Sequence, residues 1–541
     1  MTQIARHRWL VPSVVAACCV ATLIIKLHLN RWRVEPGHGD VSAYFNVARS
    51  LVEGRGFSLD YISGFWGRPE GLPTPSNLWW MPLVSIIAAI GMWLGQPDYA
   101  SAQIATTCFS SLLPWIVYLL GRDIFESRRT GLIGALLSTT FFLFLGQPSA
   151  PISASPYVVL VPLTLWLCLH VAERPRLLLA AGAALALTQL TRTDGLLLLG
   201  SILTGLLLQP RRTDAPRNLM RCFGLLALGY VLVICPWWLR NLSEFGTLQP
   251  SVSARALFMH SYSDWTALPE SVNLQNWLQD GWQPILAGKA KVGLANLEAL
   301  LTGMTSGAFQ QTLAWNSLAV TGLMVLSWIG LPGSFRRRFL PIWCFALLAW
   351  LFYSVAFSVV GRGSFRSAMY GLYPFQLICA GRGLEYIAGW LAARAPTNWR
   401  ERVCTTVLVG SVALFMLGHY QFASKSLYLK GQAISQRAQF YRALESQLLQ
   451  PLGLQDAVFM TTDVHEFHAL LRRPCVQLPS EDAATILSTA RRLGVTHLLL
   501  LGEFMNQNKH LLRIAERDDV SNLHGPRLLG RELVRILALD Q

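Results

Sequence analysis

Long apolar runs recur along this chain, and they constrain its fold more than any other feature. The first extends from Trp9 to about Leu29. Others lie near 101–121, 131–146, 156–171, 177–193, 195–209, 222–240, 315–331, 340–360, 367–388 and 403–419. Each approaches the roughly 20 residues a helix needs to cross a bilayer core. Backbone at that depth must satisfy its own hydrogen bonds. The chain is therefore expected to be a polytopic α-helical membrane protein, with about eleven spanning helices and further juxtamembrane helices. Of its 541 residues, 52% are hydrophobic and 14% charged, where a soluble protein carries about a quarter charged. The net charge of +15 is explained by Lys and Arg collected in cytoplasmic loops, so no nucleic-acid partner is expected. The ten cysteines lie mostly in apolar runs, and no CxxC or Cys/His spacing points to a disulfide framework or a zinc site. Arg6 and Arg8 precede the first run and no small-residue cleavage site follows it. An uncleaved signal anchor with a cytoplasmic N-terminus is expected.

The run Leu78–Leu94 decides the topology. If it crosses, the basic loops Arg122–Arg129, Arg174–Arg176, Arg211–Arg221, Arg336–Arg338 and Arg394–Arg402 all fall outside. If it enters and returns, all fall inside, as the positive-inside rule requires. Pro82, Gly91 and Gly95 suit a short non-spanning element. The outer side then receives residues 30–100, Gln147–Ser155, the Thr191–Gly195 corner, the 241–312 loop, the Gly361–Arg366 loop and everything after about His419.

Within the first outer loop, Gly37–Gly56 carries an isolated acid, Asp40, ahead of a helical pattern over residues 41–53. Val41, Ala43, Tyr44, Phe45, Val47, Ala48, Leu51 and Val52 share one side. Ser42, Asn46, Arg49, Ser50 and Glu53 share the other. This predicts an amphipathic helix lying along a surface, with the membrane interface as its expected place. Asp40 at its start reads as an N-cap, and a capping carboxylate is free to act as a base as well. The tail differs in kind. Ala457–Thr462, Cys475–Leu478 and His497–Leu501 read as strands; Glu466–Arg472 and Asp482–Leu493 read as helices. Alternating strands and helices predict a small α/β domain over residues 425–541, following a membrane domain over 1–424.

Several ionisable residues collect on the outer side. TRTDG places Arg192 and Asp194 between two apolar runs, where charge is expensive; a hairpin-tip ion pair is the plainer reading. PWWLRN places Trp237 and Arg240 at the end of a run, which an aromatic belt with a snorkelling Arg also explains. GRGSFRSAMYGLYP sets Arg362 and Arg366 at the mouth of a span; a guanidinium fork matches phosphate oxygens, and a solvated loop has the same composition. One carboxylate and several arginines at a membrane boundary are what attack on a lipid-phosphate-linked group needs. Phe57, Tyr61, Phe65 and Trp66 in the first loop are expected to anchor in lipid or to stack on a sugar ring.

The stretch Asp40 followed by ARSLVEGRGF resembles the A-x-x-L-x-x-G-x-G pattern of membrane-embedded type C (GT-C) glycosyltransferases. The segments TRTDGLLLL, PWWLRNLSEFGTLQPS, RSAMYGLYPFQL, HALLRRPCVQLPSE and RRLGVTHLLL are also similar to that family. The nearest branch holds the bacterial aminoarabinose, galacturonosyl and arabinofuranosyl transferases; protein O-mannosyltransferases stand further off. The resemblance implies a polyprenyl-phosphate sugar donor, a lipid, glycan or protein acceptor, and inverting transfer on the periplasmic face of a bacterial inner membrane. It implies Asp40 as the acceptor-activating base, with Arg240, Arg366 and Arg362 on the donor phosphate. Tyr44, Arg192, Asp194 and Trp237 are carried as substrate contacts. The chain departs from the family where Asp40 is followed by Val41 rather than a second acid. Gln147-PSAPISASPY-Val158 also holds no acid. Hard cations want several carboxylate oxygens, so no cofactor or resident metal is favoured. A transporter or flippase is the competing class, but no internal repeat is visible and the ionisable residues sit at span ends. An inactive assembly protein on the same fold is the third reading.

Overall fold

The computed structural model describes residues 2–37, 39–171, 173–207, 215–250, 252–302, 315–331, 337–357, 361–501, 520–529 and 532–539. Arg211, Arg212, Arg336 and residues 303–312 of the long outer loop lie outside that set. Helix α1 (Thr2–Asn30) leads into α2 (Gly39–Val52), then β1 (Ser58–Leu59), β2 (Tyr61–Ile62) and β3 (Thr74–Pro75). The helical body follows: α3 (Leu83–Leu94), α4 (Tyr99–Ser110), α5 (Leu113–Phe125), α6 (Arg128–Thr140), α7 (Phe142–Leu145), α8 (Ala154–His170), α9 (Leu177–Thr191), α10 (Leu198–Leu207) and α11 (Ala215–Phe245). Short helices α12 (Val252–Arg255) and α13 (Leu274–Gln279) precede α14 (Trp282–Thr302), α15 (Trp315–Gly330), α16 (Leu340–Leu351), α17 (Gly361–Met369), α18 (Tyr373–Arg394) and α19 (Arg400–Leu444). The tail supplies β4 (Phe459–Thr461), α20 (Val464–Leu471), β5 (Cys475–Gln477), α21 (Ala483–Arg492), β6 (His497–Leu501), β7 (Val520–Leu529) and β8 (Glu532–Leu539).

Among the described residues, four helices are long and apolar enough to cross a membrane: Val11–Asn30, Tyr99–Phe125, Met220–Phe245 and Arg400–Leu449. The pair Arg128–Thr140 and Phe142–Ser149, bent by 49°, makes a fifth. Several other expected spans are shorter helices, among them α8 and α9. The bundle has two distinct ends. At one, Arg338 pairs with Glu126 at 2.9 Å and donates to the Asp123 carbonyl, and His170 meets Asp123 at 3.0 Å. The described parts of the basic loops after α5, after α8 and before α16 therefore gather there. At the other end lie Asn30, Gln147, Ser153 and Arg192.

Helix α3 stays at that second end. Its 12 residues give about 18 Å of rise, short of a bilayer core. Ser85, near its start, donates to the Tyr44 carbonyl of α2 at 3.0 Å. Just beyond its far end, Tyr99 packs edge-on against Phe45 of α2, ring centroids 5.7 Å apart. Gly91 permits the hairpin with α4: a Cβ there would stand 2.4 Å from the Ser101 carbonyl oxygen.

The helix expected over residues 41–53 is present as α2, but its environment differs from the expectation. Ser42, Asn46, Arg49 and Ser50 are as buried as the apolar side. The polar side lies on α20 rather than on water or headgroups. Asn46 donates to the His465 carbonyl at 2.9 Å, and Arg49 donates to the carbonyls of His468 and Ala469. A guanidinium there meets the negative end of the α20 dipole. The loop also contributes β2, which pairs in parallel with β5 and edges a six-stranded sheet of order β2-β5-β4-β6-β8-β7.

Helix α19 rises out of the bundle. Its 45 residues extend about 67 Å, so position 425, set as a domain boundary, falls inside it. Gly431 lets it run against the first loop: a Cβ there would stand 1.9 Å from the Trp32 carbonyl oxygen. Its end is fastened to the sheet by Arg473, which forks onto Glu445 at 2.7 and 2.6 Å. The strands β4, β5 and β6 and the two helices between them fall where the residue pattern puts them.

These positions predict a labelling pattern. In a cysteine-free background, Gln96→Cys and Glu70→Cys are expected to react with an impermeant maleimide from the same side of the membrane, and Arg174→Cys from the other. Gln96→Cys reacting with Arg174→Cys would contradict the fold.

Candidate functional site

A cavity of about 850 Å³ opens between the second end of the bundle and the C-terminal sheet. Asp40 lines it from the first turn of α2, and Tyr44 from one turn further on. Asp40 is not the N-cap, since the helix already begins at Gly39. Its Oδ1 accepts from the Trp80 indole at 3.2 Å, and the Trp80 ring meets His465 edge-on at 4.8 Å. Tyr61 of β2 holds His465 through Nδ1 at 3.0 Å. The carboxylate thus stands where the first loop touches the C-terminal domain. Burial, and then the Asp40 charge, push the Tyr44 phenol up, so it stays protonated at neutral pH.

Arg192 reaches the cavity because α9 stops at Thr191 and Arg192 is extended. The turn then folds back on α9. This requires Gly195, whose Cβ would stand 2.7 Å from the Thr188 carbonyl. The Arg192 guanidinium donates to Asp194 from Nε at 3.1 Å and to the Tyr353 hydroxyl from Nη2 at 2.8 Å. Its Nη1 lies 3.4 Å from Ser153 Oγ on the cavity wall. Tyr353 in turn donates to Asp194 at 2.6 Å. Asp194 is buried behind Arg192, where it orients the guanidinium and does not itself face the cavity.

Asp40, Tyr44 and Arg192 are brought together; other expected contacts are not. Arg240 does not line the cavity. It donates to the carbonyls of Phe57 and Ser76 at 3.2 and 3.0 Å and lies over the Phe57, Trp237 and Phe245 rings. Its Nη2 is held by those two carbonyls and its Nη1 donates to the Asn241 side chain at 3.2 Å, so it clamps the first loop. Trp237 is buried in the same cluster, edge-on to Phe57. The expected loop Gly361–Arg366 is the start of α17; Arg366 is exposed beside the cavity-lining Ser367, and the Arg362 side chain lies outside the described residues. Phe57, Tyr61, Phe65 and Trp66 pack inside the protein rather than in lipid.

The sequence reading missed the C-terminal wall, where Thr462, Asp463, His465, Glu466 and Gln477 line the cavity. Glu466 is 4% exposed. Its Oε2 pairs with Arg437 Nε at 2.5 Å, while its Oε1 has no hydrogen-bond partner. Burial pushes this carboxyl up to about 7 despite Arg437. The available signal was topological, because these residues follow β4 and end β5, and parallel sheets bind ligands at carboxyl ends. Among the described residues no three His, Cys, Asp or Glu side chains converge as metal ligands.

Comparison with known proteins fits this geometry. The family profile described as dolichyl-phosphate-mannose-protein mannosyltransferase matches residues 75–239. The undecaprenyl phosphate-alpha-4-amino-4-deoxy-L-arabinose arabinosyl transferase of Erwinia tasmaniensis is 24% identical over 358 residues, 63% of this chain. The match spans 56% of that relative's length. The crystal structure of ArnT from Cupriavidus metallidurans bound to undecaprenyl phosphate superposes with TM-score 0.59 at 14% identity, covering 98% of both chains. This chain shares the fold of that structure, as the GT-C resemblance led one to expect. The oligosaccharyltransferase of Archaeoglobus fulgidus in its apo form also superposes, with TM-score 0.55 at 13% identity, over 91% of this chain and 69% of that one. The GT-C resemblance read from the motifs and the fold likeness therefore agree, and they agree over nearly the whole chain.

Two outcomes follow from the site. Arg240→Ala is expected to cost about 1.5–3 kcal/mol of stability, read as a lower thermal midpoint, without raising KM for a lipid-phosphate donor; a rise in KM at unchanged stability would return Arg240 to the phosphate. Glu466 ionises near 4.5 when unfolded and near 7 when folded, so its proton favours folding at low pH and that advantage is lost as pH rises between those values. The thermal midpoint of Glu466→Gln relative to wild type is therefore expected to climb across that window and then level.

Proposed function

We propose that this chain is an inverting glycosyltransferase that moves a sugar from a polyprenyl-phosphate donor to a cell-envelope acceptor. The observation that carries the reading is the Asp40 carboxylate on a large cavity at the end of the bundle away from the basic loops. The likeness to a structure bound to undecaprenyl phosphate supports it, as does the arabinosyl transferase relative. Asp40 takes the proton of the acceptor nucleophile as it attacks the anomeric carbon, and the bond to the phosphate breaks on the opposite face. Arg192, held rigid by Asp194 and Tyr353, stabilises charge developing on the leaving phosphate. Its preorganisation costs nothing during the reaction, because its partners already fix the fork. Arg366 on the cavity's flank is a second donor contact in this reading.

The reading includes about eleven membrane crossings, with the shorter helices completing them. It sets the basic loops and N-terminus in the cytoplasm and the C-terminal domain in the periplasm, as the positive-inside rule requires. It also includes transfer without a resident divalent metal. Acceptor and sugar are to be found by mass spectrometry of envelope glycolipids and glycans from cells with and without the protein. Asp40→Asn is expected to lower transfer by about 100-fold or more with folding and undecaprenyl phosphate binding retained. Full activity in that variant would remove Asp40 from the chemistry.

A further inference from the structure

The C-terminal sheet turns the carboxyl ends of β4 and β5 toward the cavity. From β4 the chain passes through α20 to β5 on one side; from β5 it passes through α21 to β6 on the other. The two helices pack on opposite faces. Phe467 of α20 joins Phe459, Leu499 and Ile536, whereas Ile486 and Leu487 of α21 join Met460, Val476 and Leu498. The loops after β4 and β5 therefore leave toward opposite faces and frame a crevice at the carboxyl ends, the end of an open parallel sheet at which ligands bind. Asp463 and Gln477 stand at that crevice and line the cavity.

Two further observations meet there. Glu466 is buried at 4% exposure, lines the cavity, and has one oxygen without a hydrogen-bond partner. A buried acceptor left unpaired costs free energy that a ligand hydroxyl would recover. The cavity also holds an aromatic stack: Trp79 and Trp265 lie 4.2 Å apart at 34°, braced by Trp66, whose indole donates to the Ala267 carbonyl. The Trp265 segment is fastened to the same domain, since Thr266 and Ser480 share two hydrogen bonds. Aromatic rings and a carboxyl with one unpaired oxygen on the same cavity match a sugar, which presents C–H groups on one face and hydroxyls at its edge.

We propose that the crevice between β4 and β5, together with the Trp79–Trp265 stack, is a monosaccharide subsite in which Glu466 binds ring hydroxyls. This inference rests on the glycosyltransferase reading and deepens it, because it gives the C-terminal domain a share in substrate recognition. The subsite carries two carboxylates, Asp463 and Glu466, paired with one guanidinium, Arg437. It therefore selects rings without a carboxylate and disfavours uronic acids.

The test uses the full chain in nanodiscs and saturation-transfer NMR. The probes are methyl β-glucoside, methyl β-galactoside, methyl α-mannoside, methyl α-arabinofuranoside and methyl β-glucuronide. At least one neutral glycoside is expected to receive saturation at its ring protons, and the glucuronide less. Glu466→Gln and Trp265→Ala are each expected to weaken that signal by about tenfold or more. Undecaprenyl phosphate, which carries no sugar, is expected to raise the thermal midpoint of wild type and both variants equally, which also shows that they fold. Undecaprenyl phosphoglucose displaces the glycoside if the crevice holds the donor's ring and leaves it if it holds the acceptor's; either supports the subsite. No contact with any neutral glycoside, or contact unchanged in both variants, overturns it. Failure of undecaprenyl phosphate to bind wild type would instead sink the donor reading and leave the glycoside result standing by itself.

Discussion

The structure depends on how the first outer loop is shared between two bodies. Helix α2 shows its apolar side to the bundle and its polar side to α20, and both sides are buried. Burying Asn46 and Arg49 would be costly without partners. Here they meet the carbonyls of His465, His468 and Ala469. Val47 and Tyr61 of the same loop lie in the core of the C-terminal domain beside Tyr441, Phe459 and Phe467. The loop is thus part of both cores, and the cavity exists only because the two are joined through it.

That joining sets the electrostatics of the site. Asp40 stands at the seam, fixed by an indole that also packs on His465. Arg192 faces the same space from the bundle, with Asp194 and Tyr353 behind it. Glu466 lines it from α20, drawn toward Arg437 on one oxygen only. Acid, guanidinium and second carboxyl come from three parts of the chain, each immobilised by neighbours outside the cavity. Such immobilised groups stabilise developing charge without first having to move.

Much of this was legible in the sequence. The apolar runs fixed the class, and the positive-inside rule singled out 78–94 as the exception among them. Asp40 stood out as an isolated acid ahead of a helical pattern and Arg192 as a charge between two apolar runs, while Tyr44 came only with the family resemblance; all three line the cavity. Arg240 was expected on a phosphate, and the structure places its Nη2 on two carbonyls of the first loop. A guanidinium at a span end reads alike whether its partners are phosphate oxygens or the carbonyls of Phe57 and Ser76, and those carbonyls lie more than a hundred residues away in sequence. The same limit hid the α2–α20 contact, because amphipathicity shows that a polar face exists and not what covers it. The two-residue strand β2 has no periodicity to detect, and Glu466 looks in sequence like an ordinary solvated helix residue.

The central claim is that one cavity, closed jointly by α2 and the C-terminal domain, receives the lipid phosphate. Cryo-electron microscopy of the full chain in nanodiscs with undecaprenyl phosphate tests this most directly. The account predicts phosphate density within hydrogen-bond reach of Arg192, across the cavity from Glu466 and beside the Asp40 carboxylate. A phosphate bound outside that cavity, with Asp40 and Arg192 facing only solvent, would contradict it.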